Sequence, residues 1–329
     1  MLAETPASAD HSAELPIIWQ PAERAQWEDL YRAAGKASLE QSWAYGEATA
    51  AQHGQKVERH LLVAGERPLA LVQAFRKDYW CVGITRILRG PLWLLDPLTD
   101  PAGAAVCRDM ARHYRSRRFD FLSWLPELPD DPLSRELIER QGLRRVVTGY
   151  SSAWLDLAPD EETLLGGLHG KWRSALRKAE REGLEIREDV KPRQREGALM
   201  LYDLFRRKKR FVGPSGAFIA AVAAADRQAL LSLSAKREGN LIAGVILLRH
   251  GACATYMASW TSAAGRTGQA HNLLLWRAIA RLKQDGIRWL DLGGLNTESQ
   301  EGLARFKLGL GGEVFSPPRP SLKRARPSW

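Results

Sequence analysis

The stretch Asp291–Lys307, which reads DLGGLNTESQEGLARFK, decides the fold that this sequence predicts. The four residues before it, Ile287–Leu290, form a short apolar run that predicts a buried strand ending at Asp291. Gly293 and Gly294 follow at once, and two glycines allow a tight turn and a close approach to bare backbone. The sequence therefore predicts a strand, a glycine turn and then a helix.

The predicted helix carries a lysine at its end. Thr297 and Gln300 have the spacing of a capping box, which satisfies backbone amides at a helix start. Leu303 and Phe306 are three residues apart and predict the side that packs inward. Lys307 would then lie at the margin between core and solvent. There it either points into a cleft or packs its methylenes along Leu303 as an ordinary surface lysine.

This segment resembles the C-terminal signature of the Fem family of non-ribosomal peptidyltransferases. These enzymes use aminoacyl-tRNA and belong to the wider acetyltransferase-like (GNAT) superfamily. In the family a strand ending in D-L-G-G leads to a helix carrying F-K, and Asp291, Gly293, Gly294, Phe306 and Lys307 match that pattern in order. The resemblance implies substrate-binding roles for Asp291, Gly293 and Gly294 and catalytic roles for Phe306 and Lys307. The family's lysine stabilises the tetrahedral intermediate of aminoacyl transfer.

Composition bounds the class of protein. The chain has 329 residues and a net charge of +10, so two domains and a polyanionic partner such as tRNA, a nucleotide-linked substrate or an anionic membrane face are expected. Its apolar runs are too short to span a membrane, and residues 1–15 are predicted to be a disordered tail of a cytoplasmic protein. The three cysteines and seven histidines form no disulfide or metal-binding pattern, so no metal is expected.

The order of predicted elements repeats once along the chain. In residues 59–75 and 230–249, two apolar strands flank a charged turn, and both segments predict a β-hairpin preceded by helices. A helix that crosses over to a further strand follows each hairpin, which is the acetyltransferase-like plan. The predicted fold is α/β, with two tandem GNAT-like domains of mixed, mostly antiparallel sheets at residues 16–150 and 151–320. Residues 321–329 are predicted to be a loose basic tail.

Two basic segments of the second half are candidates for binding an anion. In the predicted helix Glu161–Glu182, which Gly166–Gly167 would break, Trp172 and Leu176 share one face and the cations share the other. The Fem family has a similar basic helix, so Arg173, Arg177 and Lys178 are candidates for binding phosphates of tRNA or of a nucleotide-linked acceptor; the alternative is a solvated basic face. The run Arg206–Arg210 ends the next predicted helix, where cations suit the helix dipole or contact tRNA.

A different donor is suggested by the loop before the predicted helix Gln269–Lys283. In acetyltransferases, backbone amides at this position bind the pyrophosphate of coenzyme A. Arg266, Gly268 and Ala270 form a partial version of that loop and are candidate cofactor-binding residues. An acyl-coenzyme A donor is therefore an alternative to aminoacyl-tRNA.

The leading hypothesis is an aminoacyltransferase that joins an amino acid from aminoacyl-tRNA to an amine acceptor, such as a peptidoglycan precursor or a peptide-like metabolite. The chain departs from the family's cross-bridge enzymes at Tyr45 and Glu47, near which those enzymes carry a lysine for substrate phosphate. The identity of the acceptor is therefore left open. The alternatives are a coenzyme A-dependent N-acyltransferase and a non-catalytic RNA-binding protein of the same fold.

Overall fold

A computed structural model gives the architecture of the protein. It describes residues 16–80, 82–114, 120–145, 151–295, 301–318 and 321–324. Two sheets flanked by helices form the two halves of the chain, and most of their strand pairs are antiparallel. The predicted α/β fold is thus confirmed. The predicted domain boundary at residue 150 falls in residues 146–150, outside the described part of the chain.

The first half of the chain forms the first sheet and its helices. Its helices are α1 (Arg24–Ala33), α2 (Trp43–His53), α3 (Pro101–His113) and α4 (Pro132–Glu139), with a 3₁₀ turn at Leu39–Gln41. Its strands are β1 (Ile17–Pro21), β2 (Lys56–Ala64), β3 (Arg67–Tyr79), β4 (Val82–Leu88), β5 (Leu92–Trp93), β6 (Phe121–Leu125) and β7 (Arg144–Arg145).

The second half forms the second sheet and its helices. Its helices are α5 (Glu161–Gly167), α6 (Gly170–Arg181), α7 (Pro192–Lys209), α8 (Gly216–Ala225), α9 (Ala263–Thr267), α10 (Ala270–Gln284) and α11 (Glu301–Leu308). Its strands are β8 (Ser152–Asp156), β9 (Glu185–Glu188), β10 (Leu230–Arg237), β11 (Asn240–His250), β12 (Cys253–Thr261), β13 (Trp289–Asp291) and β14 (Glu313–Phe315), and a last strand, β15 (Ser321–Arg324), follows.

Both halves contain the repeated motif that the sequence predicts. The hairpin β2–β3 and the hairpin β10–β11 are each followed by a third antiparallel strand, β4 or β12. A helix, α3 or α10, then crosses to a parallel neighbour, so that β4 pairs with β6 and β12 pairs with β13. A parallel pair needs such a crossover, because its strands run in the same direction. In sequence numbering the second sheet has the order β14-β8-β13-β12-β11-β10-β9.

The two halves share an apolar core as well as having their own. Leu39, Ala44 and Ala48, from the first half, are buried in one cluster with Phe218 and Val222 of α8. Burying a side chain such as Leu or Phe typically contributes about 1.5–3 kcal/mol. The contact between α2 and α8 therefore fixes one half against the other, and so fixes groups that meet across the seam between them.

The end of the chain corrects one prediction. Residues Ser321–Arg324 form β15, which lies in the first sheet between β6 and β7 and pairs with both. The prediction of a loose basic tail is wrong for these four residues, because their backbone amides and carbonyls complete the hydrogen-bond ladder of strands made much earlier in the chain. Residues 325–329 lie outside the described part of the chain.

Candidate functional site

The candidate site lies where two parallel strands of the second sheet part. Strand β12 pairs with β13 only over Cys253–Thr255 and Trp289–Asp291, and it then continues to Thr261 beside β11 but without β13. The register of β12 with β11 shifts at this point, which is a bulge of the kind that often re-aims side chains beside a site. The glycine turn after Asp291 occupies the space beside Tyr256, because a Cβ atom on Gly293 would lie 3.1 Å from the Tyr256 carbonyl oxygen.

The buried carboxylate of Asp291 holds the glycine turn through hydrogen bonds. Its Oδ1 accepts hydrogen bonds from the backbone amide of Gly293 at 2.8 Å and from the hydroxyl of Ser152, and its Oδ2 accepts from Arg89. Burial alone would raise the pKa of Asp291, but the Arg89 charge and these hydrogen bonds hold that pKa below its usual value. Asp291 is therefore an ionised anchor of the turn. The structure gives this predicted substrate-binding residue a supporting position.

Arg89 connects the first half of the chain to this anchor. Its side chain is only 2% exposed, and it holds Glu127 with two hydrogen bonds of 2.7 and 2.9 Å while it binds Asp291 on its other side. A third carboxylate, that of Glu40, lies 4.0 Å away. Burial raises the pKa of Glu40 to about 6, against the opposing effect of Arg89. The φ angle of Arg89 is 46°, a conformation that an arginine rarely adopts, and Ser38 donates a hydrogen bond to its carbonyl.

A second polar contact crosses the same seam. The Tyr31 hydroxyl lies 2.8 Å from His250 Nδ1 and donates to the carbonyl of Ser38, while His250 Nε2 lies 2.8 Å from the hydroxyl of Thr255. Since the phenol proton goes to Ser38, His250 must donate from Nδ1 and accept at Nε2. Burial lowers the pKa of His250 to about 3, which keeps the ring neutral. A cavity of about 220 Å³ opens beside this contact, lined from both halves by residues that include Arg24, Trp43 and Arg249.

Lys307 lies inside the protein, against the glycine turn. The residue is 5% exposed, and its Nζ donates a 2.8 Å hydrogen bond to the carbonyl of Gly294. Gly294 is itself an exposed residue. Nζ lies 5.7 Å from the centre of the Tyr256 ring. Burial lowers the pKa of Lys307 to about 8, although the negative charge of Asp291 opposes this effect. The reading of Lys307 as an ordinary surface lysine is therefore wrong, and so is its predicted place at the margin of the core.

Only one of the two apolar residues predicted to face inward from the helix of Lys307 packs against the core. Ala304 and Lys307 are its buried residues, and Leu303 is 38% exposed. The Phe306 ring, predicted to be catalytic, packs against the rings of Trp172 and His271, with centroid distances of 5.8 and 6.3 Å. Phe306 thus packs against the core as predicted, whereas Leu303 does not, and Lys307 is buried in addition. The predicted cap at Thr297 and Gln300 falls in residues 296–300, outside the described part of the chain.

Tyr256 brings a polar group that the sequence did not single out. It is 6% exposed, and its hydroxyl has no hydrogen-bond partner of normal geometry among the described residues. Burial raises the pKa of Tyr256 to about 12, with a smaller lowering by the Ser259 hydroxyl. The ring of Tyr256 thus lies beside Lys307, and the Ser259 hydroxyl is the polar group nearest in effect to its phenol.

The basic helix α6 has the two faces that the sequence predicts. Trp172, Leu176 and Ala179 are buried, and a break at Leu168–His169 separates α6 from α5. Arg177 and Lys178 are exposed and Arg173 is half-buried, and none of the three has an ion-pair partner among the described residues. The indole of Trp172 donates a 3.1 Å hydrogen bond to the carbonyl of Phe306. The structure thus joins the basic helix directly to the helix of Lys307.

The loop proposed for coenzyme A is folded into the short helix α9. The backbone amides of Gly265, Arg266, Gly268 and Gln269 all donate to acceptors within the segment, at 2.9–3.1 Å. Arg266 is exposed, and Gly268 and Ala270 are buried. The structure therefore keeps the three candidate cofactor-binding residues near one another but gives these four amides partners of their own.

Sequence reasoning missed the residues that support the site from a distance. Neither a motif nor a spacing made Arg89, Glu127, Ser152 or Tyr256 a candidate site residue. Arg89 and Asp291 lie in different halves of the chain, so no local spacing relates them. The one signal in the sequence is the Gly-Pro pair directly after Arg89, which is typical of a turn.

Comparison with known proteins agrees with this architecture. Residues 169–313 match the family model described as an acetyltransferase (GNAT) domain. The crystal structure of FemX superposes on the chain with a TM-score of 0.79 at 12% identity, covering 93% of this chain and 96% of that one. No curated protein sequence matches the chain at a significant level.

Two further solved structures superpose on nearly the whole chain. A tandem GNAT protein from the clavulanic acid biosynthesis pathway has a TM-score of 0.56 at 15% identity, covering 96% of this chain and 100% of that one. L-PGS from Bacillus licheniformis has a TM-score of 0.54 at 13% identity, covering 93% of each chain. At these identities the likeness shows the fold. The predicted tandem GNAT-like fold, and with it the structural resemblance to the Fem family, is confirmed.

Proposed function

We propose that this chain, which has the tandem GNAT-like fold of FemX, is an acyltransferase and more narrowly an aminoacyltransferase. It would move an amino acid from aminoacyl-tRNA to an amine acceptor. The observation that carries the proposal is the burial of Lys307 against the exposed Gly294, at the point where β12 and β13 part. A buried ammonium at such a place is costly unless a negative charge develops beside it.

The chemistry needs little from the protein beyond position and charge. The acceptor amine attacks the ester carbonyl of the aminoacyl-tRNA, so a C–N bond forms and the carbonyl oxygen becomes an oxyanion. The ester C–O bond then breaks, the amine gives up its proton, and the ribose hydroxyl of the tRNA leaves with a proton. An ammonium has three N–H donors, and Lys307 uses one on Gly294, so it has donors left for the oxyanion.

The substrate would be held by groups that the fold brings to the same place. The cations Arg173, Arg177 and Lys178, which have no ion-pair partner in the part of the chain that the structure describes, suit the phosphates of tRNA or of a nucleotide-linked acceptor. Because Trp172 of α6 bonds to Phe306 of α11, the phosphate contacts and Lys307 belong to one packed unit. Such coupling helps to keep the reacting groups aligned, which is a major source of rate enhancement.

The choice of tRNA over coenzyme A as donor is supported by the loop at α9. A pyrophosphate there would need free backbone amides, and those of Gly265, Arg266, Gly268 and Gln269 already have partners. Acyl-coenzyme A is therefore the alternative against which the proposal is tested.

The test is a comparison of donors. The protein is incubated with tRNA charged with radiolabelled amino acids, or with radiolabelled acetyl-coenzyme A, and with the small molecules of a bacterial extract freed of macromolecules. Label in a product that resists mild alkali is measured, because the ester of aminoacyl-tRNA is cleaved there and an amide is not. We expect label from tRNA only, and none after ribonuclease treatment.

Two outcomes would overturn the proposal. Ribonuclease-resistant transfer from acetyl-coenzyme A would make the chain a coenzyme A-dependent N-acyltransferase. Binding of tRNA without transfer from either donor would make it a non-catalytic RNA-binding protein.

A further inference from the structure

The outer face of α7 exposes aliphatic side chains that the core does not use. Met200 is 60% exposed and Leu204 is 55% exposed, and they lie one turn apart on the same face. Tyr202, between them in sequence, points to the opposite side and is buried together with Ala198. Val212, just after the helix, is fully exposed. Met200 and Leu204 side by side on one face, with Val212 exposed just beyond the helix, indicate a contact surface.

Cations lie on the C-terminal side of these aliphatic side chains, while Glu196, one turn before Met200, is an exposed carboxylate on the other side. Arg207 and Lys208 follow Leu204 on either side of the exposed face, and Lys209 and Arg210 end the helix. All four are exposed, and none has an ion-pair partner among the described residues, whereas Arg206 pairs with Asp203 at 3.2 Å. We name the group formed by Met200, Leu204, Val212 and the run Arg207–Arg210 the α7 surface.

The geometry points to an anionic lipid surface as the partner of the α7 surface. A lipid interface accepts Met, Leu and Val side chains among its acyl chains, while the long stems of Arg and Lys reach to the phosphates of the headgroups. RNA would meet the same cations, but it gains little from aliphatic groups, since proteins bind its bases mainly through aromatic side chains. The combination of aliphatic and basic residues therefore selects lipid over RNA.

The expected binding is peripheral, weak and reversible. Among the described residues no helix has the length and apolar character to cross a bilayer. The α7 surface offers three aliphatic side chains, so it would enter only the headgroup region, to a depth of about 5–10 Å. The axis of α7 would lie along the membrane, because Met200 and Leu204 are displaced along the helix and not at its tip.

The experiment is co-sedimentation of the full chain with vesicles. Vesicles of phosphatidylcholine containing phosphatidylglycerol are compared with vesicles of phosphatidylcholine alone. The double variant Arg207→Ala/Lys208→Ala should weaken binding to the anionic vesicles about 30-fold, since each basic residue near such a surface contributes about fivefold. Its control, Arg108→Ala/Arg112→Ala, removes two exposed cations from α3 and should weaken binding by no more than about twofold.

An apolar pair of variants tests the second part of the surface. Leu204→Ser should weaken binding about tenfold and should abolish the part of the binding that survives high salt. Its control is Leu133→Ser, because Leu133 is 63% exposed on α4 in the other half of the chain. All four variants should unfold at the wild-type urea midpoint, because each changes an exposed side chain.

Three results would overturn the inference. The first is a wild-type chain that does not sediment with anionic vesicles. The second is an equal loss of binding by the variants and their controls, which would reduce the effect to net charge. The third is an α7 double variant that keeps vesicle binding but loses binding of labelled tRNA in a filter assay. That result would assign the surface to RNA.

Discussion

Replacing Lys307 by Met tests the role of its charge most directly. Methionine keeps the length and apolar stem of lysine but removes the ammonium that donates to Gly294. If the ammonium faces the oxyanion, single-turnover transfer should fall on the order of 10²–10³-fold, which corresponds to about 2.7–4 kcal/mol of transition-state stabilisation. Binding of donor and acceptor should change little, since the charge of the oxyanion exists only in the transition state.

The same substitution should stabilise the folded protein. A lysine whose pKa is about 8 instead of its ordinary value near 10.5 is held charged at a cost of about 3 kcal/mol, at 1.36 kcal/mol for each unit of pKa. The variant avoids this cost but loses the hydrogen bond to Gly294, which destabilises it by about 1 kcal/mol. Its free energy of unfolding should therefore be about 2 kcal/mol higher than that of wild type at neutral pH. Urea unfolding of Lys307→Met measures this difference.

The pH dependence follows from the direction of the pKa change. Below pH 8 the lysine is charged in both the folded and the unfolded protein, so wild type carries the full cost. Between pH 8 and 10.5 the folded protein releases the proton first, and wild-type stability therefore rises toward that of the variant. The ratio of wild-type to variant transfer rate should be constant below pH 8 and should fall about tenfold for each further pH unit, because only the ammonium stabilises the oxyanion. Taking the ratio cancels the pH dependence of the ester and of the acceptor.

A matched control lies on the same helix. Arg305→Met removes an exposed cation that pairs with Glu301, and it should change neither transfer nor stability by a measurable amount. The reasoning is refuted if Lys307→Met is folded and transfers at nearly the wild-type rate. A rate ratio that rises above pH 8 would refute it differently, since the neutral amine would then be the active form.

Two further predictions concern the groups around Lys307. Arg89→Met leaves Asp291 and Glu127 buried without their cation, so urea unfolding should show a loss of roughly 3–5 kcal/mol in stability. The control Arg135→Met removes an exposed cation and should cost less than about 1 kcal/mol. An equally small loss for Arg89→Met would contradict its anchoring role. The double variant Arg173→Ala/Arg177→Ala should fold normally but bind tRNA more weakly, and its affinity should depend less steeply on salt. If filter binding at several salt concentrations shows unchanged affinity, this face of α6 is only a solvated surface.

Local patterns predicted most of the framework. The hairpins β2–β3 and β10–β11 were found because alternating apolar runs flank a charged turn, and α6 because its apolar residues recur at helical spacing. Strand β4 was missed, although it continues from the first hairpin, because its residues Val82–Leu88 mix polar and apolar side chains without a clear boundary. The match of Asp291–Lys307 to a family pattern pointed to the candidate site, whose role stays a prediction.

The predictions that were wrong concern residues whose positions depend on contacts between distant segments. Leu303 was expected inside and Lys307 at the margin, because an apolar residue is usually buried before a charged one. The order is reversed here because the carbonyl of Gly294 accepts from the ammonium and the Asp291 carboxylate lies nearby. The same holds for Arg89, because its buried guanidinium is paired with the Asp291 carboxylate from the other half of the chain.

Strand β15 has a consequence for how the protein is made. On the ribosome the first half emerges long before Ser321–Arg324. Strands β6 and β7 therefore lack their common neighbour β15 until the end of synthesis. During that interval both would present unpaired edges, which are prone to associate with other chains. The slowest contacts to close are also those of greatest sequence separation. A nascent chain halted at residue 150 should therefore be more sensitive to protease and more inclined to aggregate than the released protein.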